Sequence, residues 1–280
     1  MGDVKKQVGK TKAEIDVVGC FIAGTLVHTK EGLVPIEQIK VGDWVLTKPE
    51  NGEGERTYKR VTQTFRYEDR EIWRLEIYSA KECAAAQAEK RAMHDSDRSY
   101  LIATPNHPIW INDRKGWRDL MGRGVIPSDY NPGWIKEKGW ASLKDWVESK
   151  GWTSLQHLKS GDELEFANGE LAVVTDVFPL NRTYDEGVAL HAFSLEWDGG
   201  VSIDLRNGQS GEFDGGTKPP ISEDYWGESE DRPDFYRTTV YNLEVEDCHN
   251  YYAGTRGIWV HNTSAVGWVE RSETHHHSFQ

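Results

Sequence analysis

The sequence predicts an all-β fold for most of this 280-residue chain. Short segments rich in β-branched and aromatic residues follow one another closely, separated by a few Gly, Pro, Asn or Asp residues, which is typical of antiparallel strands joined by turns. The 27 glycines and 12 tryptophans favour a turn-rich chain with aromatic anchors over a helical bundle. Helical patterning is scarce.

A hairpin marks the start of the strand-rich region, with Leu26–Thr29 and Leu33–Val34 on either side of the turn Lys30–Gly32. The predicted strands that follow share apolar, β-branched or aromatic residues with turn-forming flanks. They are Trp44–Thr47, Val61–Tyr67, Ile72–Tyr78, Tyr100–Thr104, Pro108–Ile111, Glu163–Phe166, Leu171–Phe178, Val240–Glu246 and Ile258–His261.

One helix is predicted over Lys81–Met93, where Ala, Glu and Lys dominate and favour helix formation. A short helical turn is predicted at Leu143–Glu148. Because the helix interrupts the strand pattern, we expect it to lie in an insertion of about residues 79–99.

A twelve-residue pattern occurs twice, at a constant offset of 119 residues. Gly32–Asp43 and Gly151–Asp162 share the first Gly, two aliphatic positions, a Lys and the closing Gly-Asp. We interpret each copy as a helical turn with two aliphatic side chains in the core, followed by a Gly-Asp turn that starts a strand. Either a common turn pattern has arisen twice, or a duplicated half-domain gives the fold a pseudo-two-fold axis.

Two further insertions are predicted. In and beside residues 113–149 the tripeptide Lys-Gly-Trp occurs three times; we expect its tryptophans to be packing anchors, with a binding surface as the alternative. Residues 185–235 are Gly-rich and carry 13 acidic residues against three basic ones. Their acids lack the spacing of a calcium-binding loop, so we expect a long, partly disordered loop or a small subdomain.

The charge of the chain excludes two classes of partner. Its 46 acidic and 33 basic residues give a net charge of −13, whereas nucleic-acid binders and proteins that adsorb to anionic membranes present basic surfaces. The longest largely apolar run, residues 17–27, is too short to span a bilayer. We therefore expect no nucleic-acid or membrane partner, and a cytoplasmic location or export within a larger parent protein.

The three cysteines, Cys20, Cys83 and Cys248, are too few for a disulfide framework. No pair has the close spacing of a zinc ribbon. The sequence therefore predicts no metal site.

The first candidate functional residues lie near the start and in the middle of the strand-rich region. Cys20 follows Gly19 and begins the apolar segment Cys20–Thr29, and a Thr-x-x-His motif occurs at Thr104 and His107. A single cysteine at the start of a strand is usually a small core residue. Each motif alone is therefore a weak indication of function.

The remaining candidates lie near the C-terminus, where Val240–Tyr252 contains His249 and Gly257–Asn262 ends in His261 and Asn262. Together with Cys20–Thr29 and Ala103–Pro108, and in this order, these segments resemble the sequence blocks of the Hint superfamily. That superfamily comprises inteins, Hedgehog autoprocessing domains and bacterial intein-like domains. The resemblance is strongest to the pretoxin-Hint domains of bacterial polymorphic toxin systems.

The resemblance implies a horseshoe-like all-β fold with pseudo-two-fold symmetry. It covers residues 20–262, interrupted by the helical and the acidic Gly-rich insertions, with flanking tails at residues 1–19 and 263–280.

At the N-terminal end, the resemblance implies that Cys20 attacks the carbonyl of Gly19. The peptide bond then becomes a thioester by an N-to-S acyl shift, for which sulfur is suited because a thiolate is nucleophilic near neutral pH. His107 would protonate the leaving amide nitrogen, and Thr104 would polarise or strain the scissile peptide.

At the C-terminal end, the resemblance implies that the side chain of Asn262 attacks its own backbone carbonyl through a five-membered ring. This cleaves the Asn262–Thr263 bond and leaves a succinimide. Because an amide is a poor nucleophile, His249 would orient or help to deprotonate it, and His261 would hold the carbonyl or protonate the leaving nitrogen. Neither reaction requires a cofactor.

Asn242 departs from the family pattern, because many inteins have Asp at this position, where it is thought to couple the two ends during splicing. Asn cannot ionise, so we expect cleavage rather than coordinated splicing. The hydroxyl of Thr263 is the candidate acceptor nucleophile if splicing occurs.

Three functions therefore remain open. The first is single-turnover self-cleavage or splicing that releases the chain's own flanking segments, as in the maturation of a larger toxin or secreted parent protein. The alternatives are an inactive Hint-fold relic or scaffold, and a Cys-His hydrolase that acts in trans through Cys20 and His107.

Overall fold

The computed structural model describes residues 19–114, 152–155, 158–183, 185–192, 200–206, 211–212 and 235–262. The predicted helical turn at residues 143–148, most of the Lys-Gly-Trp region, the tails at residues 1–18 and 263–280, and Thr263 lie outside these residues. In the described residues the fold is mainly β, with an open sheet, which confirms the predicted all-β class.

The strands are numbered along the chain. They are β1 (Phe21–Ile22), β2 (Leu26–Thr29), β3 (Gly32–Pro35), β4 (Trp44–Thr47), β5 (Thr57–Glu71), β6 (Trp73–Ser79), β7 (Arg98–Ala103), β8 (Pro108–Trp110), β9 (Asp113–Arg114), β10 (Trp152–Ser154), β11 (Asp162–Glu165), β12 (Leu171–Pro179), β13 (Asn181–Arg182), β14 (Val188–Ala192), β15 (Gly200–Asp204), β16 (Gly211–Glu212), β17 (Arg237–Val245), β18 (Asn250–Ala253) and β19 (Ile258–His261). Helix α1 spans Ala80–Glu89, and single 3₁₀ turns span Ile36–Gln38 and Asp95–Asp97.

The larger sheet has the strand order β10-β8-β19-β18-β2-β4-β5-β17-β1-β7-β6-β12-β11-β9, and β3 pairs with β2. The short strand β1 lies between β17 and β7, so that Phe21 is opposite both Tyr241 and Ala103. Three segments that are far apart in the sequence therefore meet beside Cys20, where the functional candidates were predicted.

The core of the larger sheet consists of fully buried aromatic and aliphatic side chains, which accounts for the strength of the strand pattern in the sequence. Its largest members include Phe21, Phe166, Tyr251 and Trp259. No helix among the described residues is long and apolar enough to cross a membrane.

Helix α1 begins one residue before the predicted start and ends four residues before the predicted end. The Oγ atom of Ser79 accepts a hydrogen bond from the Glu82 N–H, which is the usual capping arrangement at a helix N-terminus. Lys90 has a left-handed backbone with φ of 54°, which ends the helix before Met93.

The duplicated pattern has matching turn contacts and buried positions in the residues that are described for both copies. The backbone N–H groups of Lys40 and Lys159 donate to the carboxylates of Asp43 and Asp162, at 2.8 Å and 2.9 Å. The glycine before each Asp has a positive φ, 99° and 92°, which favours glycine at this turn. The paired aliphatic residues are buried in the same core: Ile36 and Ile39, and Leu155 and Leu158. This agreement favours a duplicated half-domain over a turn pattern that arose twice.

The acidic insertion contains more regular structure than a loop. Its described residues include β14, β15 and β16, which pair in order with β13 in a second, four-stranded sheet. Val188, Leu190 and Ile203 are buried. This part of the insertion is therefore a small sheet, which fits the small subdomain rather than the loop of the two alternatives.

Candidate functional site

The Gly19–Cys20 peptide bond is held by hydrogen bonds on both of its sides. The Gly19 carbonyl oxygen accepts from Nδ2 of Asn242 at 2.6 Å. The Cys20 N–H donates to Oγ1 of Thr104 at 2.9 Å, and the Thr104 N–H donates to the Cys20 carbonyl oxygen at 2.9 Å. Both polar atoms of this peptide therefore have a donor or acceptor positioned on them.

The ring of His107 is fully buried against this peptide. A Cβ atom at position 19 would lie 2.7 Å from both Cα and Nδ1 of His107, so the ring lies where only a glycine leaves room. On another side, the ring centroid of His107 lies 4.0 Å from that of Phe21. Burial, and next the nearby His261, lower the pKa of His107 to about 3, although the Gly19 backbone favours the protonated form.

The lowered pKa of His107 predicts an acid-sensitive fold. The unfolded chain takes up a proton on this histidine near its ordinary pKa of 6.5, whereas the folded chain keeps it neutral down to about pH 3. The folded state therefore has its full stability above about pH 6.5 and loses stability as the pH falls toward 3, because only the unfolded chain takes up the proton in this range. Between pH 7 and pH 5 we expect His107 to lower the free energy of unfolding by about 2 kcal/mol.

Urea denaturation at the two pH values measures this effect, with Cys20→Ala and Asn262→Ala present so that the chain stays intact. His107→Phe should remove about 2 kcal/mol of the pH dependence. His261, whose pKa burial also lowers, is present in both proteins, so their difference isolates His107. An unchanged pH dependence would contradict the assignment.

Asn242 connects the two ends of the site. Its Nδ2 atom donates both to the Gly19 carbonyl oxygen, at 2.6 Å, and to Oδ1 of Asn262, at 3.2 Å. Its Oδ1 atom accepts from the Tyr251 hydroxyl and from the Leu243 N–H, each at 2.8 Å. These four contacts orient the amide, so that its two N–H bonds point to the two ends of the chain.

Asn262 extends the site on the C-terminal side. Its Nδ2 atom donates to Oε2 of Glu244 at 2.6 Å, and its backbone N–H donates to the His249 carbonyl oxygen at 2.6 Å. Nδ1 of His249 contacts Oε1 of Glu244. Glu244 therefore lies between the side chains of His249 and Asn262.

The local backbone explains these positions. Asn250 and His261 are paired in the β18–β19 ladder, and the bond from Asn262 to His249 continues that ladder by one position. His249 has a φ of 49°, a left-handed conformation that is uncommon for residues other than glycine. His261 is buried, and its Nε2 atom lies 3.3 Å from Oε1 of Glu50.

The structure thus brings together Gly19, Cys20 and Asn262 with the candidates that were expected to act on them, which are Thr104, His107, His249 and His261. It also places Asn242, which was expected only as a departure from the family pattern, between the two ends. No group of three or more His, Cys, Asp or Glu side chains in the part of the chain described is arranged to hold a metal ion.

Sequence reasoning missed three residues of the site: Glu244, Tyr251 and Glu50. The first could have been found, because residues two apart on a strand face the same side, and Glu244 follows Asn242 by two positions on β17. Glu50 lies in the connection after β4, where no periodicity marks it.

Comparison with known proteins finds similarity to Hint domains and inteins. Residues 19–123 match the family model of the Hint domain. Among solved structures, a bacterial intein-like domain from Clostridium thermocellum is 19% identical, with 87% of this chain and 98% of that one covered at a TM-score of 0.44. A DnaB intein from Synechocystis is 10% identical, with 88% and 99% covered at a TM-score of 0.42. No protein with a curated function matches the sequence.

The match to the Hint-domain model over residues 19–123 supports the resemblance to the Hint superfamily that the sequence motifs indicate. A Hint-like fold suggests autoprocessing or splicing that acts on a chain's own flanking segments. The pretoxin subtype remains a prediction from the sequence.

Proposed function

We propose that this chain cleaves itself at the Gly19–Cys20 bond and at the Asn262–Thr263 bond. The first reaction is an N-to-S acyl shift at Cys20, and the second is cyclisation of Asn262. The observation that carries the proposal is the single amide of Asn242, which donates to both the Gly19 carbonyl and the Asn262 side chain.

In the N-terminal reaction, Sγ of Cys20 attacks the carbonyl carbon of Gly19, and the carbonyl oxygen gains negative charge. Asn242 supports this step because its N–H already lies 2.6 Å from that oxygen. The C–N bond to Cys20 then breaks, and the nitrogen takes a proton. With a pKa of about 3, His107 is neutral near pH 7, so one ring nitrogen can accept the thiol proton while the other donates to the leaving nitrogen.

In the C-terminal reaction, Nδ2 of Asn262 attacks the backbone carbonyl carbon of the same residue and displaces the nitrogen of Thr263. The hydrogen bonds that hold the Asn262 side chain support this step, because they restrict its amide to few rotamers. His261, the neighbouring residue, is the group from which the leaving nitrogen takes its proton.

The energetic demand on this site is modest, because each chain reacts once. A half-life of hours, which corresponds to a rate on the order of 10⁻⁴ s⁻¹, requires a barrier of about 23 kcal/mol. Orienting the reacting groups alone contributes about 7–11 kcal/mol to such rate enhancements. The proposed reactions use only groups of the chain itself and require no cofactor.

Self-cleavage fits the site better than hydrolysis of an added substrate. Cys20 is 1% exposed and His107 is 0% exposed. A substrate in trans would have to displace the chain's own Gly19 from between them. The release of a flanking segment from a larger toxin or secreted parent extends this proposal, and the sequence resemblance to pretoxin-Hint domains is its support.

Intact-mass spectrometry of the purified chain tests the proposal, with and without dithiothreitol and beside the Cys20→Ala and Asn262→Ala variants. We expect release of the last 18 residues in the parent and in Cys20→Ala but not in Asn262→Ala. We expect dithiothreitol to release the first 19 residues in Asn262→Ala but not in Cys20→Ala. A single mass of 280 residues in every sample would contradict the proposal and favour an inactive scaffold.

A further inference from the structure

The side-chain amide of Asn262 is contacted at both of its polar atoms. Oδ1 accepts a hydrogen bond from Nδ2 of Asn242 at 3.2 Å, and Nδ2 donates to Oε2 of Glu244 at 2.6 Å. The second contact is short for a nitrogen–oxygen hydrogen bond and joins the nucleophilic nitrogen to a carboxylate.

These two contacts act on the property that makes an amide a poor nucleophile. The nitrogen lone pair of an amide is delocalised onto its oxygen, so the nitrogen attacks readily only when it loses a proton and the oxygen takes up the resulting charge. A carboxylate at the N–H and an N–H donor at the oxygen favour that charge distribution together.

We propose that Glu244 is a catalytic residue of the C-terminal cleavage, and that its carboxylate accepts the Nδ2 proton of Asn262 as this nitrogen attacks. This inference rests on the proposed function and adds the group that activates the nucleophile. His249 is a positioning residue, since its Nδ1 atom contacts Oε1, the other oxygen of the same carboxylate.

The bonds and protons of the step balance. The bond between Nδ2 and the backbone carbonyl carbon of Asn262 forms, and one Nδ2 proton passes to Glu244. The bond between that carbon and the Thr263 nitrogen breaks, and the leaving nitrogen takes one proton, which His261 is placed to supply. As one ring nitrogen of His261 donates this proton, its other ring nitrogen takes up, through water, the proton that Glu244 accepted, so His261 stays a neutral imidazole and Glu244 becomes a carboxylate again.

The fold keeps this carboxylate in place. Glu244 lies on the interior strand β17, between β1 and β5, and its side chain is only 15% exposed. The backbone of His249 is bonded to the backbone of Asn262 at 2.6 Å, so the positioning residue and the nucleophile move together. A surface glutamate without such partners would lose more side-chain entropy on taking up this position.

The decisive variant is Glu244→Gln in a Cys20→Ala background, where only the C-terminal bond is cleaved. Gln keeps the size of the side chain and can accept a hydrogen bond from Asn262, but it cannot take a proton. We expect the release of residues 263–280 to slow by about 100-fold or more. Glu246→Gln, two positions along the chain and exposed, is the matched control and should leave the rate within about twofold.

A second readout separates this role from a merely structural one. In an Asn262→Ala background, Glu244→Gln should leave the dithiothreitol-dependent cleavage at Gly19 unchanged, which also shows that the variant folds. Added formate should restore part of the C-terminal rate to Glu244→Ala, whereas sodium chloride at the same ionic strength should not. For the positioning role of His249, Asn should restore more of the rate than Ala, because Asn can donate to Glu244 and tolerates a left-handed backbone.

Two failures are distinguishable. If the Cys20→Ala parent itself does not release residues 263–280, both the proposed function and the role of Glu244 are contradicted. If the parent releases them and Glu244→Gln does so at the same rate, only the role of Glu244 is overturned.

Discussion

Replacing Asn242 with Leu is expected to slow both cleavages by about 100-fold or more, which is the cost of removing one donor from an oxyanion site. Leu is close to Asn in size but has no N–H group. The Gly19 carbonyl oxygen and Oδ1 of Asn262 therefore both lose the donor that lies 2.6 Å and 3.2 Å away. Mass spectrometry in the Asn262→Ala and Cys20→Ala backgrounds measures the two rates separately.

Asn242→Asp is the variant that checks the fold. It keeps the oxygen that accepts from Tyr251 and Leu243, but it places a second oxygen against two carbonyl oxygens. Only the protonated carboxyl can donate there, so we expect both rates to rise as the pH falls from 8 to 6. Rates within threefold of the parent for Asn242→Leu, in both backgrounds, would contradict the bridging role.

The second large effect is expected at Gly19, where Val should slow the thiol-dependent cleavage by about 100-fold or more. A Cβ atom there would lie 2.7 Å from Cα of His107, and a backbone atom cannot move aside as the end of a flexible side chain can. The substitution would therefore separate the scissile carbonyl from Asn242 or displace the imidazole.

Release of residues 263–280 should change much less in Gly19→Val, because Asn262, Glu244 and His249 contact one another on the other side of Asn242. Ala23→Val, at a partly exposed position after β1, is the matched increase in side-chain size. If Gly19→Val and Ala23→Val reacted with thiol at equal rates, the close packing of His107 on Gly19 would have no role in the reaction.

Most of the larger sheet was predictable from the sequence, because its strands have apolar residues in strand-like patterns and turn-forming residues between them. The strand β1 was not predicted as a separate element, since its two residues are too few for a pattern. The small sheet of the acidic insertion could be expected only as one of two alternatives, a loop or a small subdomain, because its short strands are embedded in a strongly charged, Gly-rich segment.

The residues of the site also divide into those that their motifs indicate and those whose contacts the sequence does not reveal. Cys20, Thr104, His107, His249, His261 and Asn262 could be selected from their motifs, although their roles remain predictions. From the sequence, Asn242 was interpreted only as a residue that lacks the charge of Asp. In the structure, its side-chain amide nitrogen donates to the Gly19 carbonyl oxygen and to the Asn262 side chain. Those contacts depend on the pairing of β1 with β17, which no local pattern in the sequence specifies.

If the chain cleaves itself as proposed, the position of β1 between β17 and β7 also sets the timing of the reaction during synthesis. A ribosome makes Gly19 and Cys20 more than two hundred residues before it makes Asn242 and Asn262, and until then the scissile carbonyl has no bridging donor. The nascent chain therefore carries its reactive cysteine in an unassembled state through most of translation. Under the proposed mechanism, cleavage can begin only after β17 and the last strands have been synthesised and have paired with the rest of the sheet, so the flanking segments stay attached until the whole domain has folded.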